Sequence, residues 1–260
     1  QKPNNAKVMP YLFKVSDNPF FTSTRKIPFA LFPTLKEQIE NMLKEGVIRK
    51  SSSPYSSPVI LVKKRDNQYR FCVDFRKLNS QITVEQYPIP LIHDIISTLS
   101  SAKYFSKIDL KSGFWQIPLH EKCKHATAFS TPFGHYEFNV LPFGLVTAPA
   151  AFQRAISETL KEFLGKFCHV YLDDILIFSK NADEHDEHLK TIMARLKEHR
   201  WKPNTNKCLF KRTSMSYLGF LISDECVTPD PDRIKSVKNI PIPDMSKRLQ
   251  SIISSANYYR

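Results

Sequence analysis

The stretch Phe167-Cys168-His169-Val170-Tyr171-Leu172-Asp173-Asp174-Ile175-Leu176-Ile177-Phe178-Ser179 sets two adjacent carboxylates between nearly continuous apolar runs. Its aromatic and β-branched residues predict two strands, Phe167–Tyr171 and Ile175–Ser179, joined as a hairpin with Leu172-Asp173-Asp174 at the tip. Strands this apolar are buried on both faces or close to it. Two anions at the rim of a core repel each other and lose hydration, so positive charge is needed nearby. No Lys or Arg lies within five residues of the pair on either side. A divalent ion is therefore the natural partner, and hard cations such as Mg²⁺ prefer carboxylate oxygen. Asp is also a common turn residue, so the pair alone reads equally well as hairpin punctuation. A second strand, Tyr104–Leu110, ends on a carboxylate of its own, Asp109. Were it to lie beside the hairpin, three carboxylates would converge. Such a set can hold two ions about 3.5–4 Å apart and clamp the attacking and leaving oxygens of a phosphoryl transfer. Spacing leaves that convergence open.

The rest of the chain narrows the setting. Lys and Arg number 38 against 25 Asp and Glu, a net charge of +13, which points to a polyanionic partner such as nucleic acid. Only 6 Gly stand beside 18 Pro, and neither G-x-G-x-x-G nor G-x-x-x-x-G-K occurs, which excludes the usual glycine-rich phosphate loops. The 5 cysteines are scattered without a C-x-x-C, so a reducing, intracellular setting is expected. No apolar run approaches the roughly 20 residues of a membrane span. Beginning at Gln1 without a leader, the sequence reads as part of a longer, non-secreted protein.

Residues 1–33 lack a clear period and read as an extended lead-in. Thr34 and Glu37 have capping-box spacing ahead of a helix carrying Leu35, Ile39, Met42 and Leu43 and ending at Gly46. Pro58–Lys63 and Tyr69–Phe75 predict a hairpin, and Leu91–Leu99 a short helix with Leu91, Ile92, Ile95, Ile96 and Leu99 inward. Irregular strands follow over 131–144. Pro149 opens a helix with Phe152, Ile156, Leu160 and Phe163 on one face. Another helix spans 184–200, a strand pair lies near 209–222, and short helical segments follow Asp230. Helices and strands mix without βαβ regularity, so the fold class is α+β with an antiparallel sheet. His185 and His188 sit among acidic residues, but the spacing is not H-E-x-x-H, and acids belong in a helix's first turn.

Tyr171-Leu172-Asp173-Asp174 resembles the Y-x-D-D signature of reverse transcriptases, and the blocks around it resemble Ty3/gypsy-type LTR retrotransposons. These blocks are Ser57-Pro58-Val59, Arg70 to Asn79, Phe105 to Ile117, Thr127-Ala128-Phe129, Leu141 to Leu145, Tyr217-Leu218-Gly219 and Ala256 to Arg260. They run in order from about residue 30 onward. The resemblance implies a right-hand polymerase with fingers (34–95 and 120–146), palm (96–119 and 147–222) and thumb (223–260), the connection and RNase H parts being absent. It implies that Asp109, Asp173 and Asp174 are the catalytic carboxylates, with Asp109 and Asp173 bridging two Mg²⁺ ions (Mn²⁺ can substitute), Asp174 less directly engaged, and the Leu110 carbonyl also touching metal. Lys64 and Arg70 are the implied dNTP contacts. Phe114 is the implied barrier to a 2′-hydroxyl, and Phe143 helps to shape its pocket. Tyr171, Gln153 and Arg154 are expected toward template or primer, and Tyr217-Leu218-Gly219 at the primer terminus. Lys235, Lys238, Lys247 and Arg248 fall where thumb helices would pass duplex phosphates.

The implied activity is RNA- and DNA-directed DNA polymerisation, with template, primer and dNTPs as partners. RNase H and integrase are expected downstream in a polyprotein, no membrane is involved, and a cytoplasmic retroelement particle is the implied location. Val146-Thr147 and Ser251 to Ala256 depart from the family pattern. An RNA-dependent RNA polymerase and a domesticated, catalytically idle nucleic-acid-binding module are the competing readings. Phe114 and the matched blocks argue against the first, and the three intact carboxylates against the second.

Overall fold

The computed structural model describes residues 5–22, 26–63, 67–85, 87–88, 90–224 and 226–231, together with Lys235. In chain order its elements are β1 (Lys14–Val15), α1 (Phe32–Lys44), β2 (Ile48–Lys50), β3 (Ser57–Lys63), β4 (Tyr69–Val73), α2 (Arg76–Asn79), β5 (Ile82–Thr83), α3 (Ile92–Ser97) and β6 (Tyr104–Asp109). There follow α4 (Glu121–Lys124), β7 (Phe129–Thr131), β8 (Gly134–Phe138), α5 (Ala148–Leu160), β9 (Cys168–Tyr171), β10 (Asp174–Ser179) and α6 (Ala182–Glu198). The last are β11 (Leu209–Arg212), β12 (Ser214–Tyr217), β13 (Phe220–Ser223) and β14 (Val227–Pro229). The α+β reading holds.

The sheet that matters most has the order β11-β6-β10-β9, antiparallel throughout. Alternation along its strands explains the continuous apolar text. Ile108, Ile175, Ile177, Cys168 and Val170 enter one core together with residues of α5 and α6. Phe105, Leu176 and Phe178 enter a second core with Ile95, Leu99, Met215, Tyr217 and Ile222. The central strands β6 and β10 are thus covered on both faces, as their lack of polar alternation required, while the edge strand β11 is exposed. At roughly 25 cal/mol per Å² of apolar area removed from water, this double burial is the main force locating the sheet.

A second sheet, β2-β8-β7-β3-β4, contains the predicted β3–β4 hairpin and one parallel pair, β3 with β7. Phe71, Phe129 and Phe138 interlock within it, the Phe129 ring lying 5.3 Å from Phe71 and 5.4 Å from Phe138. The N-terminal stretch is extended but closely held. Ala6 N–H donates to the Gln116 carbonyl, Tyr11 N–H to Pro118 and Thr22 N–H to Ser56, while Tyr11, Phe13 and Phe20 are buried.

Several local expectations change. Helix α1 begins at Phe32, before Thr34, and has no side-chain cap. Pro33 suits the first helical turn, which leaves the Thr34/Glu37 spacing inside the helix. Leu91 is 68% exposed because it precedes α3 instead of sharing its inner face. Strand β11 does not pair with β12. It joins β6, while β12, β13 and β14 form a separate meander. The cause lies after α6, where Asn204 N–H donates to the Asp109 carbonyl (2.8 Å) and docks the chain beside β6. The segments expected to form helices beyond Asp230 lie almost wholly outside the described residues. Among the described residues no helix is long and apolar enough to cross a membrane.

Candidate active site

Asp109 is the last residue of β6, and its register partner across the ladder is Asp174, the first residue of β10. Directly opposed residues of an antiparallel pair project to the same face, so the sheet itself brings these two together. Asp173 sits one residue earlier, in the hairpin turn. Of the three carboxylates whose convergence spacing left open, this register brings two, Asp109 and Asp174, together.

The turn is fastened from behind. Leu172 adopts φ 50, a left-handed conformation costing about 1 kcal/mol or more for a residue other than glycine. Gln153, on α5 and only 1% exposed, compensates. Its Oε1 accepts from Leu172 N–H at 2.7 Å, and its Nε2 donates to the Val170 carbonyl (3.0 Å) and to Ser157 Oγ (3.2 Å). The expectation that Gln153 faces a template is therefore corrected: a buried amide spent on three internal bonds has nothing to offer a strand at the surface. Arg154 is also engaged within the chain, to Glu85 at 3.1 Å and over the Tyr11 ring at 5.7 Å, although it remains partly exposed.

The loop after Asp109 passes beneath the turn. A Cβ on Gly113 would stand 2.8 Å from Phe152 Cε2 and 3.6 Å from Asp173 Oδ1, so glycine lets the loop lie against that ring. The bridge between Leu110 and Pro203 is held by bonds of their neighbours, Lys111 N–H to the Lys202 carbonyl and Asn204 N–H to that of Asp109. The Leu110 carbonyl stays outside that ladder.

Charge at the site is concentrated and only partly compensated. Desolvation raises the Asp173 pKa above the ordinary carboxylate value, and the charges of Asp174 and Asp109 raise it further, against a smaller opposing effect of Lys207. Asp174 is paired with Lys107 at 2.8 Å. Lys107 is distant in sequence and arrives through the β6 register, so part of the positive charge that the pair needs comes from a side chain. Among the described residues no three His, Cys, Asp or Glu side chains are gathered to hold one ion as they stand. The donor chemistry nevertheless fits Mg²⁺, since two strand-end carboxylates and a third in the adjoining turn crowd their charge at one sheet end.

Phe114 follows Gly113, its ring 5.1 Å from Phe143 and 5.5 Å from Phe152. Phe143 is half-exposed, and its loop is pinned by Asn79, which donates to the Gly144 carbonyl and accepts from Val146 N–H, both at 2.9 Å. Arg70 is exposed on β4, across from Val62, while Lys64 lies outside the described residues. Tyr171 is half-buried as the register partner of Asp174. Tyr217 is buried beneath the sheet, and Leu218 (φ 49) and Gly219 (φ 81) form the two-residue tip between β12 and β13, with the signs of a type I′ turn. His185 is buried between Ser106 and Ser179, and His188 bonds Ser179 and stacks on Phe167 at 3.8 Å, so both rings serve packing.

A paired-aspartate hairpin registered against a strand-terminal aspartate, on a sheet backed by two helices, is the palm arrangement of template-directed polymerases. Residues 62–222 match the family described as reverse transcriptase (RNA-dependent DNA polymerase), and the chain belongs to that family. It is similar to the Pol polyprotein of transposon opus of Drosophila melanogaster, 38% identical over 250 residues covering 94% of this chain and 25% of the relative. To the Pol polyprotein of transposon gypsy of the same species it is 36% identical over 264 residues, covering 99% of the chain and 26% of the relative. The chain thus spans about a quarter of the length of these relatives. Among solved structures, a foamy viral protease-reverse transcriptase in complex with double-stranded DNA matches with a TM-score of 0.88 and 27% identity, over 98% of this chain and 45% of that one. The same enzyme with an RNA/DNA hybrid matches at 0.85, with 27% identity over 98% of this chain and 34% of that one. The Ty3/gypsy resemblance and the right-hand polymerase fold are both borne out.

Proposed function

We propose that the chain is the polymerase domain of a retroelement Pol polyprotein, extending a primer 3′-hydroxyl with dNTPs on RNA or DNA templates. The observation that carries this reading is the Asp109–Asp174 register with Asp173 beside it on a turn locked by Gln153. Asp109 and Asp173, with the Leu110 carbonyl, would hold two Mg²⁺ ions. When bound, these supply charge stabilisation for the attacking and leaving oxygens of an in-line displacement. The strained, internally bonded turn keeps the carboxylates positioned, so little reorganisation is left for the reacting complex. Phe114, braced by Phe143 and Phe152, would exclude a ribose 2′-hydroxyl, and Arg70 with Lys64 would meet the triphosphate.

In this reading the five-stranded sheet belongs to the fingers (34–95 and 120–146), the four-stranded sheet to the palm (96–119 and 147–222), and residues from 223 onward to the thumb. Tyr171, Tyr217, Leu218 and Gly219 lie toward the primer, and Arg154 toward the template. The net charge of +13 suits the duplexes seen with the foamy viral enzyme. RNase H and integrase would follow in the polyprotein, within a cytoplasmic particle. The test is extension of oligo(dT) on poly(rA) with dTTP and Mg²⁺ or Mn²⁺. Extension is expected. Salt-sensitive template binding without extension would identify an idle binding module instead.

A further inference from the structure

Lys107 lies two residues before Asp109 on β6, so strand alternation puts both side chains on one face, the face Asp174 shares by register. Its Nζ reaches diagonally across the ladder to Asp174 Oδ2 at 2.8 Å, with each side chain 25% exposed. Among the described residues Asp109 and Asp173 form no comparable ion pair. Directly beneath is the apolar cluster of Leu176, Phe105 and Tyr217, with Tyr171 packed against it. Tyr217, Leu176 and Phe105 are each at most 1% exposed, so the floor beneath the pair is buried and largely apolar. An ion pair on such a floor is less screened than one on an open surface.

We infer that Lys107 is a positioning residue that withdraws Asp174 from ion coordination, leaving Asp109 and Asp173 as the carboxylates free to hold metal. This rests on the polymerase reading and gives the three aspartates unequal tasks. One of the two Asp174 carboxylate oxygens, Oδ2, is committed to a 2.8 Å charge-assisted bond, so coordination through both oxygens would have to break it, whereas among the described residues neither Asp109 nor Asp173 is held in such a pair. The bland alternative is a partly exposed ion pair that only adds a little stability, and such a pair would leave ion binding unchanged.

The test uses the full 260-residue chain without nucleic acid, titrated with Mn²⁺ and followed by electron paramagnetic resonance, with ¹³C-carboxyl aspartate to count coordinating carboxylates. Lys107→Met is expected to tighten Mn²⁺ binding by at least about fivefold and to add one carboxylate coupling. Lys107→Arg, which keeps the pair, should behave as the unaltered chain within about twofold. Unchanged or weaker binding by Lys107→Met overturns the inference. So does tighter binding with an unchanged set of couplings, which would be a field effect alone. Should Lys107→Met fail to fold, Lys107→Gln carries the same comparison. An unaltered chain that extends primers while Lys107→Met shows no gain refutes only the role of Lys107. Failure of the unaltered chain to extend refutes the polymerase reading, and the Mn²⁺ comparison still decides for Lys107.

Discussion

Replacing Gln153 with Leu keeps the helix and roughly the volume but removes the side-chain bonds that fasten the catalytic turn from behind. Leu172 N–H loses its acceptor at 2.7 Å, and the Val170 carbonyl its side-chain donor at 3.0 Å. A buried polar group left unpaired costs about 1–3 kcal/mol, and the left-handed Leu172 would no longer be held in its costly conformation. Part of this is relieved if the turn relaxes, giving a net loss of about 2–4 kcal/mol. For a chain of this size that lowers Tm by about 5–12 °C. Relaxation is also what harms catalysis, because a 1 Å displacement of a reacting group can cost about 10²-fold in rate. Single-nucleotide incorporation should show kcat reduced about 10²-fold or more. Template-primer affinity, measured by fluorescence anisotropy, should stay within about twofold. The reverse pattern, near-normal kcat with weakened template binding, would refute the reasoning and return Gln153 to the nucleic-acid surface.

Three further outcomes follow from the same geometry. Gly113→Ala forces a methyl to within 2.8 Å of the buried Phe152 ring, and should cost about 1–3 kcal/mol in denaturant unfolding; an unchanged midpoint would show that the ring yields freely. Phe114→Ala should raise rNTP incorporation relative to dNTP in competition assays, and constant discrimination would end its assignment as the barrier. The raised Asp173 pKa means the folded chain holds that proton more tightly than the unfolded chain, so this group's effect on stability worsens as pH rises from the ordinary carboxylate range through the raised value. Asp173→Asn should therefore melt about 1–3 °C higher at neutral pH, a modest gain because solvent screens part of the repulsion, and should show no gain at pH 3; a lower Tm at neutral pH would contradict the charge-crowding account.

Much of the site was legible because its chemistry interrupts strong patterns. Asp109 and Asp173-Asp174 stand out as anions ending apolar strands, and the double burial of those strands explains why the interruptions were conspicuous. What could not be read was anything carried by register. Lys107 is remote from Asp173-Asp174 along the chain, and only its place two residues before Asp109 hints at a shared face. Gln153 looked like an ordinary polar position on an amphipathic helix, because nothing in local sequence says that a strained turn needs its amide. The pairing of strand β11 is hidden from the sequence for a related reason. Its partner β6 is about a hundred residues away, whereas β12 is adjacent, and proximity in sequence favoured the wrong neighbour. Lys64 and, of the late basic residues, Lys238, Lys247 and Arg248 fall outside the described residues, so their roles still rest on sequence.

Single-turnover extension by Asp173→Asn beside the unaltered chain, at matched template-primer saturation, tests the central claim most directly. The account predicts that the unaltered chain incorporates dNTPs in the presence of Mg²⁺, and that the variant falls at least about 10³-fold in rate with affinity for template-primer within about twofold. A variant that extends at the unaltered rate would contradict the assignment of this carboxylate centre.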